Sequence, residues 1–130
     1  MRLVFVLLDS LNRLALQPYG GRIETPNFRR LADRTVTFAH HYAGSLPCMP
    51  ARRDLHTGRA SFMHRSWGPL EPFDNSFADI LKQRGVYSHL VTDHFHYFED
   101  GGSGYHTRYN SWEFIRGQEY DPWKADVAPP

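Results

Sequence analysis

The chain has 130 residues, of which 41% are apolar and 15% aromatic, so it can bury a core and is not an intrinsically disordered polypeptide. Its 15 basic and 14 acidic side chains leave a net charge of +1, which argues against a nucleic-acid partner. The single cysteine, Cys48, excludes an internal disulfide framework.

The first element in chain order is the apolar run at residues 3–8, which has the composition of a strand buried on both faces of a parallel sheet. The run is too short to cross a bilayer, and no signal-peptide cleavage site follows it. We therefore expect a cytoplasmic protein with no membrane partner. Asp9 follows the run at the strand end where α/β sheets bind ligands, and a capping or turn-forming role is the alternative.

Two helices and a strand are predicted in the next part of the chain. Thr25 has the place of an N-cap before a short helix over residues 26–33, because a proline follows it. Residues 36–42 predict a short strand. A second helix is predicted over residues 50–56, and Gly58 is suited to end it.

The second half of the chain predicts a third helix and two strands. Asp74 or Asn75 is the predicted cap of the helix, which shows an apolar stripe and ends at Gly85. Residues 86–92 predict a strand, and residues 112–115 predict another within a loop-rich tail. The order of elements predicts an α/β fold with a mostly parallel central sheet flanked by helices, incomplete within the 130 residues.

Cys48 opens the stretch CMPARRDLHTGR, between two prolines and just before the second predicted helix. A lone cysteine is most often a small buried apolar residue, but a helix start with Arg52 and Arg53 nearby favours a reactive thiol. A phosphatase-like loop would need arginine where the chain has Asp54, and a zinc knuckle or a redox pair would need more cysteines. A thiol–histidine pair stays open, because the chain has eight histidines.

This stretch resembles the sulfatase signature, which is Cys-x-Pro-x-Arg followed after four residues by Thr-Gly. The five fixed positions are occupied by Cys48, Pro50, Arg52, Thr57 and Gly58. LVFVLLDSLNR resembles the first strand of that family, and TPNFRRLADRTVTFAHHYAGSLPC resembles its next helix and strand. The resemblance covers about residues 2–98 and implies that residues 1–130 are the N-terminal part of a catalytic domain, with residues 99–130 loop-rich.

The resemblance implies an alkaline phosphatase/sulfatase-like fold and a sulfuric ester hydrolase. In sulfatases a formylglycine-generating, or sulfatase-maturing, enzyme converts the signature cysteine to formylglycine. One hydroxyl of the hydrated aldehyde attacks the sulfur of a sulfate monoester and the alcohol leaves. The second hydroxyl then allows sulfate to leave by C–O cleavage. The implied substrate is a small molecule or a glycan that carries a sulfate ester.

The same resemblance assigns roles to individual residues. Cys48 would be the precursor of the nucleophile, and Arg52 would hold the diol. Asp9 and Cys48 would be ligands of a divalent metal, with calcium favoured and manganese, magnesium or zinc as alternatives. His94 and His96 occupy the place of the family's Lys-x-His segment, where they would contact the sulfate or protonate the leaving group.

Two other functions remain open from the sequence. Many sulfatases have Asp-Asp where this chain has Asp9 and Ser10, and a single aspartate there resembles the phosphonate monoester and phosphodiester hydrolases of the same superfamily. The remaining metal ligands of the family come from later in its sequences. The chain could therefore also be a truncated, non-catalytic remnant that keeps the signature by descent.

Overall fold

The structure is a computed structural model, and it describes residues 2–63, 65–99, 104–118, 121 and 123–125. The chain divides into two compact units, Met1–Tyr42 and Ala43–Pro130. The α-helices and β-strands of the described residues are α1 (Pro26–Ala32), α2 (Cys48–Thr57), α3 (Phe77–Gln83), β1 (His89–Thr92) and β2 (Ser111–Phe114).

The first unit is built around the short helix α1. Its start is where the sequence predicts it, with Pro26 at the first helical position after Thr25. The Thr25 hydroxyl does not cap the helix but accepts a hydrogen bond from the backbone N–H of Gln17 at 3.1 Å. The Gln17 side chain accepts in return from the backbone N–H of Thr25 at 3.1 Å. This reciprocal pair fixes the chain entering α1.

Two strands predicted for the first unit are wrong. Residues 3–8 and 36–42 form no strand in the structure. The side chains of residues 3–8 are 47–85% exposed, whereas the prediction required them to be buried. An apolar run shows only that a segment is suited to the interior of a sheet. It becomes a strand when neighbours supply ladder hydrogen bonds, and no described residue pairs with residues 3–8 in this way.

The second unit begins with the loop before helix α2. The helix predicted over residues 50–56 is confirmed, but it starts earlier, so Cys48 is its first residue. It ends at Gly58, whose φ of 68° lies in the left-handed region that glycine adopts without strain. The N–H of Gly58 donates to the carbonyl of Asp54 at 2.7 Å. The left-handed backbone at the end of α2 therefore explains why the signature has a glycine at position 58.

Helix α3 is also confirmed, although the predicted cap is wrong. The cap is Ser76, whose Oγ accepts from the backbone N–H of Asp79 at 3.1 Å and donates to the Asp79 carboxylate at 3.0 Å. Asp74 and Asn75 precede it. Serine followed three residues later by an acidic residue is a helix-start pattern in its own right.

The described sheet has two strands, β1 and β2, which run parallel. His89 lies opposite Ser111 and Thr92 lies opposite Phe114. Both strands are those predicted from the sequence, although β1 is shorter than the predicted span and β2 starts and ends one residue earlier. Parallel strands with intervening helical turns confirm the α/β class.

The apolar core of the second unit is small and contains two tyrosines. Its buried members are Met49, Leu70, Tyr97 and Tyr105, and Cys48 packs against them. The first turn of α2 therefore lies on the core itself. None of the helices in the described ranges is long and apolar enough to span a membrane.

We expect Ser76→Ala to destabilise the second unit by about 1 kcal/mol, because it removes the cap of α3. Asn75→Ala is the control, since Asn75 is exposed, and it should change stability by less than about 0.5 kcal/mol. Urea unfolding followed by circular dichroism measures both. Equal effects of the two substitutions would contradict the assignment of Ser76 as the cap.

Candidate functional site

The signature stretch folds as helix α2, and one face of that helix is buried. Besides Pro50, four residues of the helix are buried and recur at the spacing i, i+3, i+4 and i+7, namely Met49, Arg52, Arg53 and His56. Three of these four residues are polar. Each therefore needs a partner inside the unit, because an unpaired polar group away from water is costly.

Cys48 stands at the N-terminus of α2 and is half-buried. Backbone N–H groups in the first turn of a helix have no carbonyl partner within the helix and carry partial positive charge. An anion bound beside Cys48 would meet this charge. Thr57, at the other end of the helix, donates its hydroxyl to the carbonyl of Arg53 at 2.9 Å and so secures the last turn.

Asp54 connects helix α2 to the segment that follows it and to the loop before Cys48. The backbone N–H of Ser61 donates to Asp54 Oδ1 at 2.6 Å. Burial opposes the charge of this carboxyl, but hydrogen bonds from Ser61 and Ser45 outweigh it and keep the pKa of Asp54 below its usual value. At Gly44 an added Cβ would lie 2.6 Å from Asp54 Oδ2, so a larger residue there would push the Asp54 carboxylate aside.

Arg52 is buried and reaches Tyr97. Its Nη1 donates to the Tyr97 hydroxyl at 3.0 Å, and its guanidinium carbon lies 5.1 Å from the centroid of the same ring. The cation therefore contacts one tyrosine both through a hydrogen bond and through the aromatic ring.

Arg53 is 1% exposed and pairs with Asp74, which is also buried. Its Nη2 lies 2.7 Å from Asp74 Oδ2. The same carboxylate oxygen accepts from the backbone N–H of Glu71 at 2.9 Å. A buried ion pair with an added hydrogen bond ties helix α2 to the loop before α3. The pairing of Arg53 with Asp74 was not predicted from the sequence.

His56 is enclosed by aromatic rings and two hydrogen bonds. Its Nδ1 lies 2.7 Å from the carbonyl of Arg52, which can only accept, so Nδ1 carries the proton. In the neutral ring Nε2 is then an acceptor, and the Tyr109 hydroxyl donates to it at 3.0 Å. Phe77 stacks on the imidazole at 5.1 Å between centroids, and Tyr105 meets it edge-on at 5.2 Å.

Burial lowers the pKa of His56 to about 4, and the nearby charge of Arg52 acts in the same direction. The hydrogen bond to the Arg52 carbonyl and the charge of Asp79 oppose this shift without cancelling it. Burial also raises the pKa of Tyr105 and of Tyr109 above their usual range. His56 and both tyrosines are therefore neutral at physiological pH.

His94 and His96 follow strand β1 at its carboxyl end. His94 is 2% exposed, and one of its ring nitrogens lies within 4.8 Å of Cys48 Sγ. His96 Nδ1 lies 2.6 Å from a carboxylate oxygen of Glu99, and the Trp67 ring meets its imidazole edge-on at 4.7 Å. The two imidazoles are 5.1 Å apart between centroids. The second unit thus brings together Cys48, His94 and His96.

Asp9 lies in the first unit, directly after the apolar run. It is exposed, and its Oδ1 accepts a hydrogen bond from the Ser10 hydroxyl at 3.0 Å. Ser10 has a φ of 55°, the left-handed region, which turns the chain sharply after Asp9. The carboxylate is thus presented by a turn and not by the end of a paired strand.

Stability should depend on pH through His56. The unfolded chain protonates this ring near its ordinary pKa of 6.5, whereas the folded chain does so only near 4. The unfolded state therefore binds more protons between these values, and the free energy of unfolding falls as pH drops from about 6.5 toward 4, by on the order of 3 kcal/mol. Urea unfolding at a series of pH values should show this slope reduced in His56→Gln, and equal slopes would contradict it.

Asp74→Ala should destabilise the second unit by about 3–5 kcal/mol, because it leaves the buried Arg53 without its counter-charge. Arg53→Met combined with Asp74→Ala removes both charges and should be more stable than Asp74→Ala alone. The check is a double-mutant cycle measured by urea unfolding. Strictly additive effects would mean that the two side chains do not pair.

Comparisons with known proteins agree with the signature. A family model described as sulfatase matches residues 2–126. An N-acetylglucosamine-6-O-sulfatase from Bacteroides thetaiotaomicron is 27% identical over 124 residues, which is 92% of this chain and 22% of that protein. The multifunctional alkaline phosphatase superfamily protein PehA from Trinickia caryophylli is 35% identical over 60 residues, which is 46% of this chain and 12% of that protein.

No solved structure matches the chain. The chain spans less than a quarter of the length of either relative, since the shares covered are 22% and 12%. The family model nevertheless matches nearly all of its residues. This confirms the resemblance read from the signature, and the chain belongs to the sulfatase family.

Proposed function

We propose that the full-length protein hydrolyses sulfate monoesters and that Cys48 is the precursor of its formylglycine nucleophile. The observation that carries the proposal is the position of Cys48 at the N-terminus of α2, with a His94 ring nitrogen within 4.8 Å of its sulfur. A nucleophile at a helix N-terminus beside a histidine is suited to attack on an anionic ester.

Arg52 supports this proposal through its charge and its fixed position. It lies one helical turn after Cys48 and is buried, so its guanidinium acts in a low-dielectric surrounding where charge interactions are strong. The proposed role of Arg52 is to hold the hydrated aldehyde formed from Cys48. It would also offset negative charge that gathers on the sulfate in the transition state.

The two histidines have separate proposed roles. His94 would contact a sulfate oxygen at the place where the family has lysine. His96 would give a proton to the leaving alcohol oxygen, and a hydrogen bond from its Nδ1–H to the Glu99 carboxylate would hold the ring in place. A substrate oxygen that departs as an alcohol needs this proton, and imidazole is the side chain best suited to supply it.

The family pattern also implies a divalent metal, for which Asp9 and Cys48 are the proposed ligands. The thiol of Cys48 stands where the diol oxygens of formylglycine would be, and these oxygens with the Asp9 carboxylate suit a hard cation. Calcium is favoured on this ground, with manganese, magnesium and zinc as alternatives. When bound, the metal would lower the pKa of the attacking hydroxyl and offset sulfate charge.

A second candidate is a phosphonate monoester or phosphodiester hydrolase that uses the same residues. The observation that favours it is Ser10, which places a hydroxyl on the Asp9 carboxylate where many sulfatases have a second aspartate. With serine in place of the second aspartate, the site would carry less negative charge, and its affinity for the metal would differ. The similarity to PehA, named as a multifunctional member of the alkaline phosphatase superfamily, is compatible with this alternative.

A non-catalytic remnant is the third candidate, and it predicts no metal binding at micromolar concentrations.

The first test is peptide mass spectrometry of Cys48 after coexpression of the full-length protein with a formylglycine-generating enzyme. Conversion to the aldehyde lowers the peptide mass by about 18 Da, and the modified protein should then hydrolyse an aryl sulfate by nucleophilic catalysis. Cys48→Ala is the control and should lose at least about a thousandfold in kcat/KM.

Three outcomes separate the candidate functions. Faster hydrolysis of an aryl sulfate than of an aryl phosphate diester supports the sulfatase proposal, and the reverse order supports the phosphodiester hydrolase. An unmodified Cys48 with no calcium or manganese binding by calorimetry would overturn both and leave the remnant.

A further inference from the structure

Tyr97 has a position that the proposed function does not yet use. It is the last residue of the 3₁₀ turn Phe95–Tyr97, directly after His96, and its side chain is 2% exposed. Its hydroxyl nevertheless contacts a different element, since it accepts from Arg52 Nη1 at 3.0 Å. A single buried side chain therefore links helix α2 to the turn that carries the two histidines.

The hold on Arg52 has two components. The hydrogen bond fixes the direction of one guanidinium nitrogen, and the ring centroid lies 5.1 Å from the guanidinium carbon. A long arginine side chain has many rotamers, so two contacts from one residue remove much of that freedom. The Arg52 backbone is fixed separately, because its carbonyl accepts from His56 Nδ1 at 2.7 Å.

Tyr97 is itself held rigidly. Its ring stacks on that of Tyr105 with 4.9 Å between centroids and 19° between planes. Tyr105 is fully buried, and its hydroxyl donates to the carbonyl of Gly68 at 3.3 Å. The backbone carbonyl of Tyr97 accepts from His106 Nδ1 at 3.1 Å. A residue held both by its ring and by its backbone can set the position of another, which is what a preorganised site requires.

We propose that Tyr97 is a positioning residue that fixes the guanidinium of Arg52 relative to Cys48, His94 and His96. Its effect on turnover rests on the proposed function, because it acts through the role of Arg52 at the formylglycine. Its hold on Arg52 is a property of the folded chain and does not depend on that function.

The test uses Tyr97→Phe, which removes the hydroxyl and keeps the ring. Tyr105→Phe is the matched control, because it also removes one buried hydroxyl, the one that donates to the carbonyl of Gly68, and keeps the ring that stacks on Tyr97. The first measurement is NMR of the full-length protein labelled with ¹⁵N-arginine. The Arg52 side-chain signal is identified by its loss in Arg52→Lys.

We expect slow solvent exchange of the Arg52 Nη hydrogens in the wild type and in Tyr105→Phe, because a buried hydrogen bond protects them. Exchange should become at least about tenfold faster in Tyr97→Phe. Equal exchange rates in all three proteins would overturn the proposal, whether or not the protein hydrolyses sulfate esters.

The second measurement is steady-state kinetics of the formylglycine-containing protein on an aryl sulfate. Tyr97→Phe should lower kcat roughly tenfold to a hundredfold and change KM little, since a misplaced group costs rate more than binding. Tyr105→Phe should keep kcat within about threefold of the wild type.

The two measurements separate the possible failures. Equal losses of kcat in both variants would show a merely structural effect and overturn the positioning role. A wild-type protein that carries formylglycine but cleaves neither sulfate nor phosphate esters would contradict the proposed function, while the exchange measurement would still decide whether Tyr97 holds Arg52.

Discussion

The second unit depends on the pairing of polar groups that helix α2 places in its interior. Arg52, Arg53 and His56 are at most 8% exposed, and each would be costly to bury alone. The rest of the unit supplies their partners from distant parts of the chain, Asp74 for Arg53 and two tyrosines for the others. The contacts that hold α2 in the core therefore also fix the position of Cys48, the first residue of the helix.

The sequence predicted the positions of the three helices and two strands found in the described residues, because local patterns determine them. A proline at a helix start, a glycine after a helix end and runs of branched residues act over a few positions. The failures have a different origin. Residues 3–8 needed neighbouring strands, which no local pattern supplies, and the cap of α3 required choosing among three adjacent polar residues. Only Ser76 places its oxygen at the N–H of Asp79.

The candidate site was predictable in part for a similar reason. The signature pointed to Cys48 and Arg52, and the histidines after β1 followed from their position at a strand end. Tyr97 and Tyr109 could not be found in this way, since they lie 45 and 53 residues from their partners on α2. The buried face of α2 was missed because a search for apolar periodicity overlooks a face made of arginine and histidine. Its i, i+3, i+4, i+7 spacing was present in the sequence.

The apolar run at residues 3–8 matters for the chain in concentrated solution. It has branched and aromatic side chains, no charge and no proline, and its exposure reaches 85% at Val4. Six-residue segments of this kind stack between identical chains into cross-β zippers. Arg2 and Asp9 flank the run, and in an in-register stack each would lie against its own copies and repel them. The aspartate proposed as a metal ligand would thus also be a gatekeeper against fibril formation.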